Sequence, residues 1–304
     1  MKTIFIVNPK AGSGKKFSEV FNKIKKFSEK SEGNVELYVT KKRNDAKSFV
    51  SEYCEKNGPA RFIACGGDGT FNEVLNGSIA CDGAEIGVVP IGTGNDFCRN
   101  FKTDESFLDL EKQVTGKCVK CDAIEYITNE NSGYCANMFN IGFDCAVADT
   151  TNTVRKKTFL SGPFAYFVSI FINLVNKKPT HLSIEIDDKE KCEGGFLLTS
   201  IANGSYCGGG LKTNPLAKVG DGFININIVK NISLMRFLTL LPRYINGTYL
   251  GIQGIDEIVS SLKCEKVKIT PREGVIRISI DGEIKDAGET EFKIVHNAFN
   301  FVVP

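Results

Sequence analysis

The chain has 304 residues, 38 Lys and Arg against 36 Asp and Glu, and a formal net charge of +2. That length makes about two domains of ~100–200 residues each, and 42% hydrophobic with 24% charged residues excludes a disordered chain. Basic and acidic residues divide evenly on either side of Glu125, so no basic half or tail marks a nucleic-acid footprint.

Strand and helix patterns alternate through the first 125 residues. Thr3–Val7 is a short apolar run closed by Asn8-Pro9, which reads as a strand. Phe17, Val20, Phe21, Ile24 and Phe27 then fall at helical spacing. Val35–Val39 predicts a second strand, and Ala46, Phe49, Val50 and Tyr53 a second helix. Arg61–Cys65 is the third strand; Phe71, Val74 and Leu75 open a third helix; Ile86–Pro90 is the fourth strand. Such alternation argues for a largely parallel sheet covered by helices. Beyond Cys118 strand-like runs dominate: Val119–Ile127, Tyr134–Ile141, Leu182–Ile186, Phe196–Ala202, Phe223–Val229, Lys266–Thr270 and Val275–Ile280. In Phe223–Val229 isoleucines alternate with asparagines, which predicts one wet face. Helical insertions are expected at Gly162–Asn176 and Ser233–Tyr249. The pattern is an antiparallel sheet or sandwich, with domains 1–125 and 126–304, and the last strand, Asn300–Val303, fits either.

His181 and His296 are far apart, which disfavours a histidine metal site or a Ser-His-Asp triad. The 11 cysteines are scattered, and the CxxC of Cys118 and Cys121 lacks the second pair that a zinc site needs. They read as reduced, mostly buried thiols of a cytoplasmic protein. The start, MKTIFIVNPK, lacks a secretory apolar region. Phe164–Val175, the most apolar stretch, is shorter than the ~18 residues of a membrane span.

Three glycine-rich loops each follow a predicted strand: Asn8-Pro-Lys-Ala-Gly-Ser-Gly14, Gly66-Gly-Asp-Gly-Thr-Phe-Asn-Glu73 and Pro90-Ile-Gly-Thr-Gly-Asn-Asp96. Ligands of an open parallel sheet bind beyond the carboxyl ends of its strands. Glycines there admit a phosphate to backbone N–H groups and to helix N-termini. One such loop would read as a plain turn; three in series point to a phosphate ligand. Asp68 and Asp96 make sense beside phosphate if a divalent cation intervenes or if they orient donors. A P-loop is excluded by Pro9 and Lys16, and a dinucleotide fingerprint by Asn72 and Phe17.

GGDGTFNEVLNG (Gly66–Gly77) and PIGTGNDF (Pro90–Phe97) resemble the diacylglycerol kinase catalytic domain family, which includes sphingosine and related lipid kinases. NPKAGSGK, NIGFD (Asn140–Asp144), ANGSYCGGG (Ala202–Gly210), NPLAKVGDG (Asn214–Gly222) and IDGE (Ile280–Glu283) extend the match in order over nearly the whole chain. The resemblance implies an α/β nucleotide-binding domain, NAD kinase-like, followed by a β-sandwich, with ATP in the cleft between and phosphoryl transfer to a lipid hydroxyl. Asn8, Pro9, Lys10, Ala11, Gly12, Ser13 and Gly14, with Gly66, Gly67, Asp68, Gly69, Thr70, Asn72 and Glu73, would line the nucleotide, and Thr40 and Thr93 would add contacts. Asp68, Asp96 and Asp122 would form a carboxylate network around the nucleotide's Mg2+. Asp221, with backbone carbonyls near Lys218 and Phe223, would bind a structural magnesium, weakened because Gly220 stands where some relatives carry a second acid; the plain alternative is a turn, since Gly220-Asp-Gly222 reads as one before Phe223–Val229. Lys15 would help neutralise phosphate.

An alcohol acceptor needs a carboxylate within hydrogen-bond reach. Asp281 and Glu283 are two apart, so on a strand both would face one side; the resemblance makes one of them the general base and leaves open which, and we take Glu283 as proton acceptor with Asp281 assisting. Without the resemblance, Asp281-Gly-Glu283 reads as a hairpin turn. Two rivals remain at this point: a kinase of a soluble alcohol such as NAD, and a regulatory nucleotide-binding module. The acceptor lipid is open, as is oligomeric state, a homodimer included. Phe159–Val175, flanked by Arg155-Lys-Lys157 and Lys177-Lys178, either docks peripherally on a membrane surface that presents the lipid substrate or packs on the sandwich.

Overall fold

The computed structural model describes residues 1–12, 14–31, 33–101, 105–157, 168–170, 172–173 and 178–304, the side chains of 14–16, 152 and 155–157 excepted. Two compact units result: Met1–Asp122 with Asn297–Pro304, and Ala123–His296.

In the first unit β1 (Thr3–Val7), β2 (Val35–Val39), β3 (Arg61–Gly66) and β4 (Glu85–Pro90) are all parallel, in the order β4-β3-β1-β2. TIFIV is buried at every position, as a central strand covered on both faces must be. The helix α1 (Gly14–Lys30) lays Phe17, Val20, Phe21, Ile24 and Phe27 against Phe5, Val7 and Ile63. The helices α2 (Asp45–Asn57) and α3 (Asp68–Ser78) meet at Gly77, where a Cβ would come within 2.7 Å of Lys47 O and 2.9 Å of Val50 Cβ. A short helix absent from the sequence reading, α4 (Leu110–Thr115), is held by Arg61, which pairs with Glu85 at 2.6 Å and donates to the carbonyls of Gln113 and Gly116 at 3.0 Å. The chain leaves this unit within β5 (Lys117–Thr128) and returns within the last strand, Thr290–Val303, whose Asn300 and Phe301 pair in parallel with Glu85 and Ile86. Phe301 packs edge-on to Phe97 at 5.0 Å, and Phe71 stacks on Phe97 at 4.7 Å, so the returning strand supports the third glycine loop from beneath.

The second unit is an antiparallel, sandwich-like β domain. The run Tyr134–Ile141 is two strands, β6 (Ser132–Cys135) and β7 (Met138–Gly142), broken where the Asn137 carbonyl accepts from Asn203 and Gly204. Then come the helix α5 (Phe143–Lys157), β8 (Thr180–Ile186), β9 (Glu190–Ala202), β10 (Ile224–Lys230), the helix α6 (Leu234–Ile245), β11 (Val259–Cys264), β12 (Lys266–Pro271), β13 (Ile276–Ile280), β14 (Glu283–Ala287) and β15 (Thr290–Val303). Its core gathers Ile124, Phe139, Ile184, Ile226, Val267 and Phe292. The expected wet face of Phe223–Val229 is a correction: Asn225 and Asn227 are each only 2% exposed. Asn227 Nδ2 donates to Asn214 Oδ1 at 2.6 Å and to Tyr249 Oη at 2.9 Å, so ANGSYCGGG and the segment after it cover a buried polar layer. Of the expected helix Gly162–Asn176 only 168–170 and 172–173 are described, all helical; the rest lies outside the described residues.

Candidate active site

All three glycine loops stand at the carboxyl ends of β1, β3 and β4, and they interlock through missing side chains. Asn8 begins the first. Its N–H donates to Cys65 O at 3.1 Å, its Nδ2 to Thr70 Oγ1 at 3.0 Å, and its Oδ1 accepts from Lys10 N at 2.9 Å. Gly12, at φ +74°, would with a Cβ strike Ile91 O at 2.5 Å, so this loop touches the third. Pro9, Lys10 and Gly12 are exposed and Ala11 half-buried, whereas Ser13 lies outside the described residues, as does the side chain of Lys15. Gly14 opens α1.

The second and third loops meet backbone to backbone. Gly66 O accepts from the N–H groups of Ile91 at 3.1 Å and Gly92 at 3.0 Å, and a Cβ on Gly92 would lie 2.3 Å from Gly67 Cα. Gly67 caps α3 against Gly92 of the third loop, and Gly69 in the first turn of this eleven-residue helix faces open space. Asp68 fastens the third loop to this turn. Its Oδ1 accepts from Asp96 N at 2.7 Å and Phe97 N at 3.4 Å, while burial pushes its pKa up and those backbone donors pull it down. At Gly94 a Cβ would lie 2.6 Å from Asp68 Oδ2 and 3.3 Å from Asp96 Oδ2. Two carboxylate oxygens from two loops therefore crowd Gly94 more closely than a methyl group would allow. Magnesium is commonly held by one or two carboxylates plus substrate phosphates, so these residues fit a cation that arrives with a polyphosphate.

Other expected residues are used differently. Glu73 Oε1 accepts from Asn44 N at 2.9 Å and Oε2 from Ala46 N at 3.1 Å, which makes it the N-terminal cap of α2. Asn72 accepts from Asn76 Nδ2 within α3, Thr40 is buried beneath Val7 O, and Thr93 is exposed on the third loop. Asp122 is fully buried and accepts from Asn297 N at 2.7 Å. Among the described residues no group of three His, Cys, Asp or Glu side chains gathers to hold a metal, and of the three expected carboxylates Asp68 and Asp96 are the two that converge on Gly94. The sequence reading passed over Asn95, which is left-handed at φ 54°, donates to Gly92 O at 2.9 Å and buries an unpaired Oδ1 among the loops. Its signal was the Gly-Asn pair within PIGTGNDF, since asparagine follows glycine in tolerating positive φ.

In the second unit Asp281 and Glu283 do not share a strand face. Asp281-Gly282, at φ 45° and 87°, is the two-residue turn between β13 and β14, with Ile280 opposite Glu283. Asp281 faces inward: its Oδ1 accepts from Met138 N at 3.0 Å and its carboxylate hydrogen-bonds the Cys135 thiol. Glu283 opens β14 at the surface. Burial first, then the charges of Cys135 and Glu283, push the nearby Tyr126 phenol up. At Asp221 the Oδ2 is paired with the Lys263 ammonium at 2.5 Å and the Oδ1 accepts from Phe223 N at 3.2 Å, so the expected magnesium would have to displace that ammonium. Lys218, exposed nearby in sequence, adds no carboxylate.

Residues 2–126 match the family model of the diacylglycerol kinase catalytic domain, and residues 137–303 that of the YegS C-terminal NAD kinase beta sandwich-like domain. The chain belongs to the diacylglycerol kinase catalytic domain family. This kinase is 30% identical over 245 residues to the "Probable lipid kinase YegS" of Shigella flexneri, covering 76% of this chain and 79% of that one. It is 31% identical over 246 residues to the "Probable lipid kinase YegS-like" of Citrobacter koseri, with the same coverage of 76% and 79%. Among solved structures, a diacylglycerol kinase from Bacillus anthracis superposes with a TM-score of 0.72 at 20% identity, over 100% of this chain and 97% of that one. Yeast NADH kinase superposes with a TM-score of 0.52 at 14% identity, over 99% of this chain and 78% of that one. At those identities the two structures speak for the fold alone.

Proposed function

We propose that this kinase transfers the γ-phosphoryl group of ATP to a lipid hydroxyl, with diacylglycerol as the acceptor and phosphatidic acid as the product. The observation that carries the reading is the convergence of Asp68 Oδ2 and Asp96 Oδ2 on Gly94, beside Gly69 in the first turn of α3. Phosphoryl transfer asks a protein for positioning and charge neutralisation rather than covalent chemistry. The N-terminus of α3 and the loops from Asn8 and Pro90 supply N–H donors for a triphosphate. Asp68 and Asp96 would hold the magnesium ion that accompanies ATP, which neutralises phosphate charge when bound. Glu283 accepts the proton of the lipid hydroxyl. The oxygen forms the new O–P bond while the γ-phosphorus separates from the β–γ bridging oxygen, and ADP leaves with that electron pair. Asp281, committed to Met138 N and Cys135, positions the hairpin that carries Glu283. The name printed for the Shigella relative supports a lipid acceptor. No helix among the described residues is long and apolar enough to cross a membrane, and we infer peripheral action at the cytoplasmic face.

The test is Glu283→Gln in a mixed-micelle assay with diacylglycerol. Transfer should fall by at least about 100-fold, as for loss of a general base, while a fluorescent ATP analogue still binds. A variant that retains wild-type turnover removes Glu283 from the mechanism.

A further inference from the structure

The helix α6 covers a small apolar pocket, and its own contribution is Phe237, Leu240, Leu241 and Tyr244. Those four lie at i, i+3, i+4 and i+7, which is one helix face and accounts for the inward side. The outward side is apolar as well. Leu234 is 45% exposed, Met235 73% and Leu238 37%, and Pro242 is exposed a turn further on. Among the described residues no apolar partner is recorded for these three large side chains on the outer face of one short helix.

Charge distinguishes the occupant. Arg236 and Arg243 are exposed on this helix, and neither makes an ion pair among the described residues. From Gly222 to Ile255 the chain contains Lys230, Arg236 and Arg243 and no acidic residue. A second copy of the chain would bring the same arginines against each other with no carboxylate between them. It would also rest on one helix face, well short of the ~800 Å² per partner of a stable interface. An anionic bilayer suits both features, since leucine and methionine enter the acyl boundary while arginines meet headgroup phosphates.

We propose that α6 docks this protein on an anionic lipid leaflet through Leu234, Met235 and Leu238, with Arg236 and Arg243 on headgroup phosphates. The inference deepens the lipid-kinase reading and rests on it for its purpose, although the surface itself is independent of the catalytic residues. Docking there also sets the cavity under α6 against the acyl phase.

The experiment is sedimentation of the full chain with vesicles of phosphatidylcholine alone or mixed with phosphatidylglycerol. Wild type should pellet with the anionic vesicles and be released by high salt. Met235→Asp/Leu238→Asp, which changes exposed positions only, should lose at least about tenfold in vesicle affinity with unchanged melting temperature. Arg236→Gln/Arg243→Gln should lose about fivefold per arginine at low salt. Pelleting by the Met235→Asp/Leu238→Asp variant equal to wild type overturns the proposal, as does equal pelleting of wild type with neutral vesicles. A concentration-dependent dimer that the same variant abolishes replaces the leaflet with a second copy. Two parallel assays separate this from the activity. Phosphorylation of a dispersed short-chain diacylglycerol without vesicle binding overturns the docking alone, and salt-sensitive vesicle binding without phosphorylation of any lipid overturns the kinase reading alone.

Discussion

Gly94 carries no side chain because two carboxylates converge where its Cβ would be, with Asp68 Oδ2 at 2.6 Å and Asp96 Oδ2 at 3.3 Å. Asp68 cannot retreat freely, since its other oxygen holds Asp96 N and Phe97 N. Gly94→Ala should therefore leave the sheet intact and raise the magnesium requirement, with activity down at least about tenfold for one displaced metal ligand. Magnesium titration of steady-state transfer checks this, and an unchanged half-saturation would remove the Asp68 and Asp96 pair at Gly94 from the site. Residue types at this site were legible in the sequence, because glycine and aspartate next to strand ends have few uses. Their partners were not. Nothing local tells that Asp221 meets Lys263, 42 positions away, or that Asp281 turns inward to Met138 N and away from Glu283. Those choices follow from tertiary register, which spacing of two residues does not encode.

At the scale of elements, the apolar runs and helical periodicities of the first unit predicted its four parallel strands and first three helices, since buried parallel strands read as continuous apolar runs. The second unit was harder, because buried asparagines on β10 mimic a solvent face and Ala136-Asn137 divides a run that reads as one strand. Glu73 illustrates how an element reassigns a residue. Placed by motif at the nucleotide, it holds the start of α2 through Asn44 N and Ala46 N. Glu73→Ala should cost about 1–2 kcal/mol in stability with little change in the KM for ATP, as chemical denaturation and kinetics would record. A raised KM at unchanged stability would return Glu73 to the ligand. The contact between α5 and α6 titrates. The Tyr244 hydroxyl donates to Asp144 Oδ2 at 3.0 Å, and burial pushes the Asp144 carboxyl up to about 6 despite that bond. Between the ordinary carboxylate value and about pH 6 the folded state binds the extra proton, so this group's contribution to stability declines as pH rises through that window. Asp144→Asn cannot titrate there, so its melting temperature relative to wild type should climb from about pH 4 to about pH 7. A flat difference would mean that Asp144 is not desolvated in solution.

The whole molecule joins a parallel α/β unit to an antiparallel β unit by two crossings of the chain, within β5 and within β15. The first unit gathers three phosphate-type loops, and the second carries the Asp281–Glu283 hairpin and the apolar helix α6. A kinase of a soluble alcohol would have use for the first and for the hairpin, but not for an apolar outer helix face. The most direct test is transfer of labelled γ-phosphate from ATP and magnesium into a mixed-micelle panel of diacylglycerol, monoacylglycerol, phosphatidylglycerol, ceramide and sphingoid base, with NAD as the soluble acceptor. The account predicts label in phosphatidic acid and none in NADP; label in NADP with every lipid unlabelled would contradict it.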